Sequence, residues 1–135
     1  MTPGLSEFGD IDTAVVTLTH ENGCLTVIDN SRQAVYGYDQ RVEVFGSAGV
    51  AASENPLTHS AVVRDAGGAR LGVLPYFFME RYEAAYLRQW TAFAAAVRAG
   101  ASISSAEARA PLVAGLAAWR SLRERRPVAV SEVAT

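Results

Sequence analysis

The chain has 135 residues, a net charge of −2 and an apolar fraction of 50%. That length is typical of one domain, and so apolar a composition excludes an intrinsically disordered chain. All 12 basic residues are arginines, so the sequence excludes a lysine Schiff base, a lysine general base and a P-loop lysine. The slightly acidic balance offers no basic field that would attract nucleic acid.

The environment of the protein can also be predicted from the sequence. No apolar run approaches the roughly 20 residues that cross a bilayer, and residues 1–12 lack the pattern of a signal peptide. The lone cysteine, Cys24, cannot form an internal disulfide and fits a reducing compartment. We therefore expect a cytoplasmic protein that binds neither membranes nor nucleic acid.

The first predicted structure is a hairpin that follows an exposed lead-in over residues 1–12, which are rich in Gly, Pro, Ser and Asp. Apolar and polar residues alternate in "TAVVTLT" (13–19), as is typical of a strand. Asn22-Gly23 predicts a tight turn, because both residue types accept a left-handed backbone. The return strand is then "CLTVIDNS" (24–31).

Four further strands are predicted before the first helix. Their segments are "DQRVEVFG" (39–46), "VAAS" (50–53), "THSAVVRD" (58–65) and "ARLGVL" (69–74). Gly46 and Gly49 bracket a turn between the first two segments, and Ala66-Gly67-Gly68 separates the last two. Both pairs are therefore predicted to form hairpins.

Beyond Pro75 the apolar period changes to three or four residues, which predicts a long amphipathic helix ended by Gly100. Its apolar stripe comprises Phe78, Tyr82, Tyr86, Trp90, Phe93 and Val97. The capping box of Ser104 and Glu107 opens a second helix, and Pro111 is expected to kink that helix or to delay its start. The predicted buried side of the second helix consists of Leu112, Leu116 and Trp119.

A final edge strand is predicted at "VAVSEV" (128–133). Together the elements indicate one α+β domain over 13–135, with a mostly antiparallel open sheet of about six strands and two helices packed on one face. The other face mixes threonine and charged side chains with Val15 and Phe45. We expect this open face to associate with another subunit.

Several catalytic signatures are missing from the sequence. There is no G-x-G-x-x-G after a strand, no G-x-S-x-G elbow, no H-E-x-x-H and no paired-cysteine metal spacing. His20 and His59 lie in or near predicted turns, where a solvated role is expected. The glycines at 46 and 49 join two strands, which favours a hairpin turn over a phosphate-binding loop.

Tyrosines are the more informative residues. Tyr36 and Tyr38 share one face if their segment is extended, and Gly37 between them allows a close backbone approach. Tyr82 and Tyr86 lie one helical turn apart. A tyrosine offers a flat apolar ring and a hydroxyl that donates and accepts, which suits a polyol or sugar ring. The pattern alone leaves this interpretation open beside another, in which all four are core residues with internally satisfied hydroxyls.

The segment "DNSRQAVYGYDQRVEVFGSAG" (29–49) resembles the C-terminal domain of inositol 2-dehydrogenases, within the glucose–fructose oxidoreductase/inositol dehydrogenase/MocA superfamily. "DIDTAVVTL", "YFFMERYEAAY" and "SLRERRPVAVSE" resemble the same family in the same order. The resemblance runs from about Asp10 to Glu132. "YGYD" and "ERYxxAY" are its most specific parts.

The resemblance implies an NAD-dependent, two-domain enzyme that oxidises a ring hydroxyl of inositol or a related polyol. A Rossmann domain would bind NAD, and a dihydrodipicolinate-reductase-like domain would bind the substrate and carry the oligomer contacts. Tyr38 and Tyr86 would lie on the substrate side. Tyr36, Asp39 and Arg32 would be orienting or rim groups.

The family's catalytic residues have no counterpart in this sequence. The resemblance implies a lysine in a Glu-Lys-Pro turn and an Asp and a His on one helix, and none of these can be placed here. We therefore expect the nucleotide-binding domain to be absent, NAD not to bind the chain alone, and the isolated chain to be inactive. Arg41 and Glu43 are assigned to the sheet and the subunit interface. A stand-alone dimerisation or sugar-binding module without catalytic activity stays open as the alternative.

Overall fold

Six short strands precede two long helices in the part of the chain that the computed structural model describes, residues 4–101 and 105–134. The strands are β1 (Thr13–Thr19), β2 (Leu25–Ser31), β3 (Val42–Gly46), β4 (Gly49–Ser53), β5 (Val63–Asp65) and β6 (Gly68–Arg70). The helices are α1 (Phe78–Arg98) and α2 (Ser105–Glu124), and single 3-10 turns span Leu5–Phe8 and Val130–Glu132. The predicted α+β class is confirmed, although β3, β5 and β6 are shorter than predicted.

Each strand pairs with its neighbour in the sequence, so the described strands form three two-stranded sheets, β1–β2, β3–β4 and β5–β6. β3 and β4 run antiparallel, with Val42 opposite Ser53 and Gly46 opposite Gly49. β5 and β6 are antiparallel as well. The predicted single sheet of about six strands is therefore not confirmed. Strand periodicity predicts each strand but contains no information about hydrogen bonds between hairpins. Packing of both helices on one sheet face stays a prediction.

The turn between β1 and β2 has the geometry that its sequence predicts. Gly23 adopts a φ of 84°, in the left-handed region. The Asn22 side-chain oxygen accepts the Cys24 N–H at 3.0 Å, and the His20 N–H donates to the Cys24 carbonyl at 2.9 Å. The asparagine therefore closes the turn through its side chain, while the glycine supplies the backbone angle.

The helices form where the apolar period changes, but one buried face was predicted wrongly. In α2 the buried residues are Val113 and Ala117. The residues predicted to be buried there, Leu112, Leu116 and Trp119, are exposed. Burial depends on which neighbouring element covers the helix, and the period of the helix alone does not say which. Ser104, half of the predicted capping box, lies outside the described residues. Neither α1 nor α2 combines the length and the apolarity needed to cross a bilayer.

The predicted final strand over 128–133 is wrong, because this segment forms the 3-10 turn Val130–Glu132 instead. The Glu132 carboxylate accepts the Ala129 N–H at 2.9 Å and the Arg126 guanidinium at 2.8 Å. The Ala129 N–H is thereby satisfied locally rather than by a neighbouring strand. The turn packs against α2.

Much apolar surface stays exposed in this chain. Large apolar side chains on the hairpins are exposed, among them Val27 on β2 at 65%, Phe45 on β3 at 84% and Val50 on β4 at 61%. The apolar faces of these hairpins are thus left uncovered by the described residues.

The C-terminal turn makes a testable contribution to stability. The Arg126 guanidinium and then the Ala129 N–H lower the pKa of Glu132 from 4.5 to about 2. A carboxyl whose pKa is depressed by folding stabilises the fold above its unfolded pKa, and that stability is lost as the pH falls from 4.5 toward 2. We expect Glu132→Gln to lower the thermal midpoint by a constant amount above about pH 5 and by progressively less toward about pH 2. Circular dichroism melts measure this difference.

Glu124 shares the Arg120 and Arg126 guanidinium groups with Glu132, so the midpoint difference reports the titration of this coupled pair. A midpoint difference that stays constant down to about pH 2 would contradict the assignment.

Candidate functional site

The candidate site is organised by a close approach of two backbone segments at Gly37. Gly37 is buried and has a φ of 127°, which side-chain-bearing residues rarely adopt. A Cβ atom there would lie 2.5 Å from the Leu74 Cβ and 3.2 Å from the Pro75 carbonyl oxygen. The close approach that glycine was predicted to allow is confirmed, and its partner is the segment that leads into α1.

Tyr38 is anchored directly after this contact. Its N–H donates to the Pro75 carbonyl at 2.7 Å, which ties the loop to the start of α1. Its ring meets the Tyr82 ring of α1 edge-on, with ring centres 5.6 Å apart and an interplanar angle of 84°. Burial, and then the adjacent Tyr38 hydroxyl, raise the pKa of Tyr82. The Arg81 guanidinium carbon lies 5.3 Å from the centre of the Tyr82 ring.

Asp39 is the hub of a hydrogen-bond cluster beside Tyr38. It accepts the Tyr36 hydroxyl at 2.5 Å, and Arg41 donates to both of its oxygens at 2.9 Å. The Asn55 side-chain amide donates to the same carboxylate at 2.5 Å. Arg41, Tyr36 and Asn55, in that order, hold the pKa of Asp39 far below its usual range. Asp39 in turn raises the pKa values of Tyr36 and Arg41.

The same residues border a cavity of about 780 Å³. Its lining combines aromatic and polar side chains, including Arg32, Tyr38, Asp39, Gln40, Tyr76 and Tyr82. That volume lies within the range of small-molecule sites, which span roughly 300–1,000 Å³. The aromatic rings can pack against the carbon atoms of a bound molecule. The hydroxyl, amide and guanidinium groups between the rings can form hydrogen bonds with its oxygen atoms.

The five predicted site residues are distributed unevenly around this cavity. Tyr38, Asp39 and Arg32 line it. Arg32 also lies 3.7 Å from an Asp10 carboxylate oxygen. Tyr36 is 59% exposed and lies outside the lining, where it donates to Asp39. Tyr86 is 39% exposed and is also outside the lining, so its substrate role stays a prediction.

Three contributors were not among the predicted site residues. Tyr82 was placed on the helix stripe and among the four tyrosines that suit a polyol, but it was left out of the predicted site residues. Arg41 was assigned to the sheet and the subunit interface, whereas it precedes β3 and pairs with Asp39. Asn55 carried no signal beyond its place before a proline, because its partners lie 15 and 16 residues away.

The glycine turn at residues 46–49 does not have the form of a dinucleotide-binding loop. The glycines at 46 and 49 face each other across the β3–β4 hairpin, so their loop does not open a helix that could hold a pyrophosphate. Within residues 4–101 and 105–134 no three His, Cys, Asp or Glu side chains cluster closely enough to hold a metal ion.

Comparison with known proteins places these features in a family. A family model described as the GFO/IDH/MocA C-terminal domain matches residues 2–52. The chain is 44% identical over 131 residues to a myo-inositol 2-dehydrogenase of Thermotoga maritima, covering 96% of the chain and 39% of that relative. It is 31% identical over 129 residues to a scyllo-inositol 2-dehydrogenase (NAD(+)) of Bacillus subtilis, covering 93% and 37%.

A solved structure agrees with these sequence relatives. The crystal structure of a probable dehydrogenase from Thermotoga maritima superposes with a TM-score of 0.92 at 43% identity, covering 98% of this chain and 40% of that one. The resemblance read from the sequence is thereby confirmed, and the chain is a homologue of the C-terminal domain of the GFO/IDH/MocA family. It spans about two fifths of the length of the relatives that it matches.

The Gly37 contact can be tested by substitution. We expect Gly37→Ala to lower the free energy of unfolding by about 1–3 kcal/mol, because the new methyl group would overlap Leu74. Gly115→Ala is the matched control, since a Cβ added there would meet no atom within 4 Å beyond its chain neighbours and the backbone of its own helix, α2. The control should raise stability by about 0.5–1 kcal/mol. Urea unfolding measures both, and a Gly37→Ala variant as stable as the parent would refute the contact.

Proposed function

We propose that this chain is the substrate-recognition part of an NAD-dependent oxidoreductase that oxidises a ring hydroxyl of inositol or a closely related polyol. The observation that carries the proposal is the cavity beside Tyr38, with its alternation of aromatic faces and hydrogen-bonding groups. The relatives named above support the substrate class, because their names state that they act on myo- and scyllo-inositol. The name of the Bacillus subtilis relative also states NAD(+).

Recognition would use the apolar ring of tyrosine and its hydroxyl for different parts of the substrate. The rings of Tyr38 and Tyr82 would cover the C–H face of a polyol, while their hydroxyls and the Gln40 amide exchange hydrogen bonds with its O–H groups. Such a site rejects an analogue that lacks a hydroxyl, because a buried polar group would then be left unpaired. Tyr86 is proposed as a further residue that contacts the substrate, once the separate nucleotide-binding domain completes the site.

Asp39 would orient the site rather than move protons. A carboxylate has about four lone-pair sites, and the donors from Tyr36, Arg41 and Asn55 already occupy that number. Its depressed pKa also makes it a poor general base near neutral pH. Arg32 would act as a rim group that meets substrate oxygen atoms at the cavity mouth.

The proposal assigns NAD binding and proton transfer to protein outside this chain. The sequence contains no lysine, and the glycine turn of the β3–β4 hairpin does not open a helix. On this view residues 13–135 form a substrate domain that works with a separate nucleotide-binding domain. The cytoplasmic location expected from the sequence remains a prediction.

Self-association forms part of the same proposal. Apolar side chains on the hairpins, among them Phe45 at 84% exposed, lie open to solvent, and burial of such faces favours association. The exposed apolar faces of the hairpins are the proposed contact surfaces. A strict monomer in sedimentation at micromolar concentration would count against this part of the proposal.

A chimera tests the function as a whole. This chain would replace the corresponding segment of the Thermotoga maritima myo-inositol 2-dehydrogenase, and NADH formation from myo-inositol would be followed by absorbance. Turnover supports the proposal. A folded chimera that binds NAD but oxidises neither myo- nor scyllo-inositol contradicts it. Polyol binding by the 135-residue chain alone, without turnover in the chimera, would instead favour the stand-alone sugar-binding module.

The tyrosine assignments give a sharper prediction in that chimera. Removing one substrate-facing hydroxyl should cost about 0.5–1.5 kcal/mol, so Tyr38→Phe and Tyr86→Phe should each lower kcat/KM by about 2- to 12-fold. The Kd for NAD should not change. Ser60→Ala, which removes an exposed hydroxyl outside the cavity lining, is the control. Unchanged kinetics in both tyrosine variants would remove these residues from the site.

A further inference from the structure

We propose that Asn55 is a positioning residue of the polyol site, which holds residues 38–40 in the geometry that presents Tyr38 and Gln40 to the cavity. Asn55 does not line the cavity itself, so its effect on the substrate would pass through the loop that it holds. The inference rests on the proposed function in naming the ligand as a polyol. The contacts that carry it are independent of that function.

Asn55 uses both ends of its side-chain amide on this loop. Its NH₂ group donates to the Asp39 carboxylate at 2.5 Å, and its oxygen accepts the Gln40 N–H at 2.8 Å. A donor and an acceptor are therefore fixed at two consecutive residues. An amide carries its donor and its acceptor on two separate atoms, so one side chain can hold both groups at once.

The backbone of Asn55 is itself well fixed. It is followed by Pro56, which restricts the preceding residue to extended conformations. It also lies two residues after the end of β4, whose register with β3 is set by five residue pairs. The hairpin thus provides a rigid support from which Asn55 reaches the loop.

Tyr38 is consequently held from two sides. On one side its N–H is bonded to Pro75, and Gly37 is pressed against Leu74. On the other side the next two residues are held by Asn55. Without Asn55 the first anchor would remain, so the fold would persist while the Tyr38 ring lost its single orientation.

The test uses the 135-residue chain with ¹³C-labelled tyrosine rings and myo-inositol as the probe. We expect Asn55→Ala to broaden or split the Tyr38 ring signals and to weaken myo-inositol binding by about 5- to 10-fold. Asn22→Ala is the matched control, because Asn22 also closes a turn through its side chain but belongs to another hairpin. The control should leave both the Tyr38 signals and binding unchanged.

A second variant separates positioning from general destabilisation. Asn55→Asp replaces the amide donor by a carboxylate beside Asp39, and the charged groups around that position are Asp39, Arg41 and Glu54, with the Tyr36 hydroxyl. Repulsion between the two carboxylates raises the pKa of the introduced one, and its protonated form again has a donor for Asp39. We expect the Tyr38 signals and the Kd to be disturbed at about pH 7 and to recover to within about twofold of the parent at about pH 5.

The outcomes distinguish this inference from the proposed function. If the parent chain alone does not bind myo-inositol at tens of millimolar, the affinities are measured in the chimera described above, whose failure to turn over counts against the proposed function. The Tyr38 ring signals decide the role of Asn55 in either case. Parent-like ring signals in Asn55→Ala overturn the inference. So does an Asn55→Asp variant that stays folded but does not recover its Tyr38 signals in acid.

Discussion

The contact of Gly37 with Leu74 and Pro75 is the constraint on which the rest of the site depends. The two segments approach so closely that a single methyl group would collide, and the backbone at Gly37 is left-handed. This contact brings the loop of Tyr38 against the start of α1, where the Tyr38 ring packs edge-on against the Tyr82 ring. The cavity is therefore a consequence of backbone packing, and its aromatic walls come from elements far apart in the sequence.

Charge is used in this site to fix geometry rather than to react. The Asp39 carboxylate accepts hydrogen bonds from Tyr36, Arg41 and Asn55, and together these donors lower its pKa and keep it ionised. A saturated carboxylate has no lone pair left for substrate, but it makes the loop a single rigid unit. The substrate-recognition role proposed above depends on such a rigid loop.

Local sequence patterns predicted most helices and strands correctly, but not which elements pack against one another. Alternation and turn residues located the hairpins, and the change of period located α1, because these signals depend on neighbours within a few residues. The wrong final strand arose because the side chain of Glu132 satisfies local backbone groups, which overrides a weak strand preference. The buried face of α2 was missed since burial is decided by elements distant in sequence.

For the candidate site, too, some features follow from the sequence and others only from the tertiary structure. The sequence by itself determined the family resemblance, the "YGYD" loop, the need for glycine at 37 and the absence of lysine chemistry, because each is a property of residue type or local spacing. Only the tertiary structure decided that Tyr82 meets Tyr38, that Arg41 and Asn55 hold Asp39, and that Tyr86 lies outside the cavity lining. Those facts depend on the folding of distant segments against one another, which local spacing does not encode.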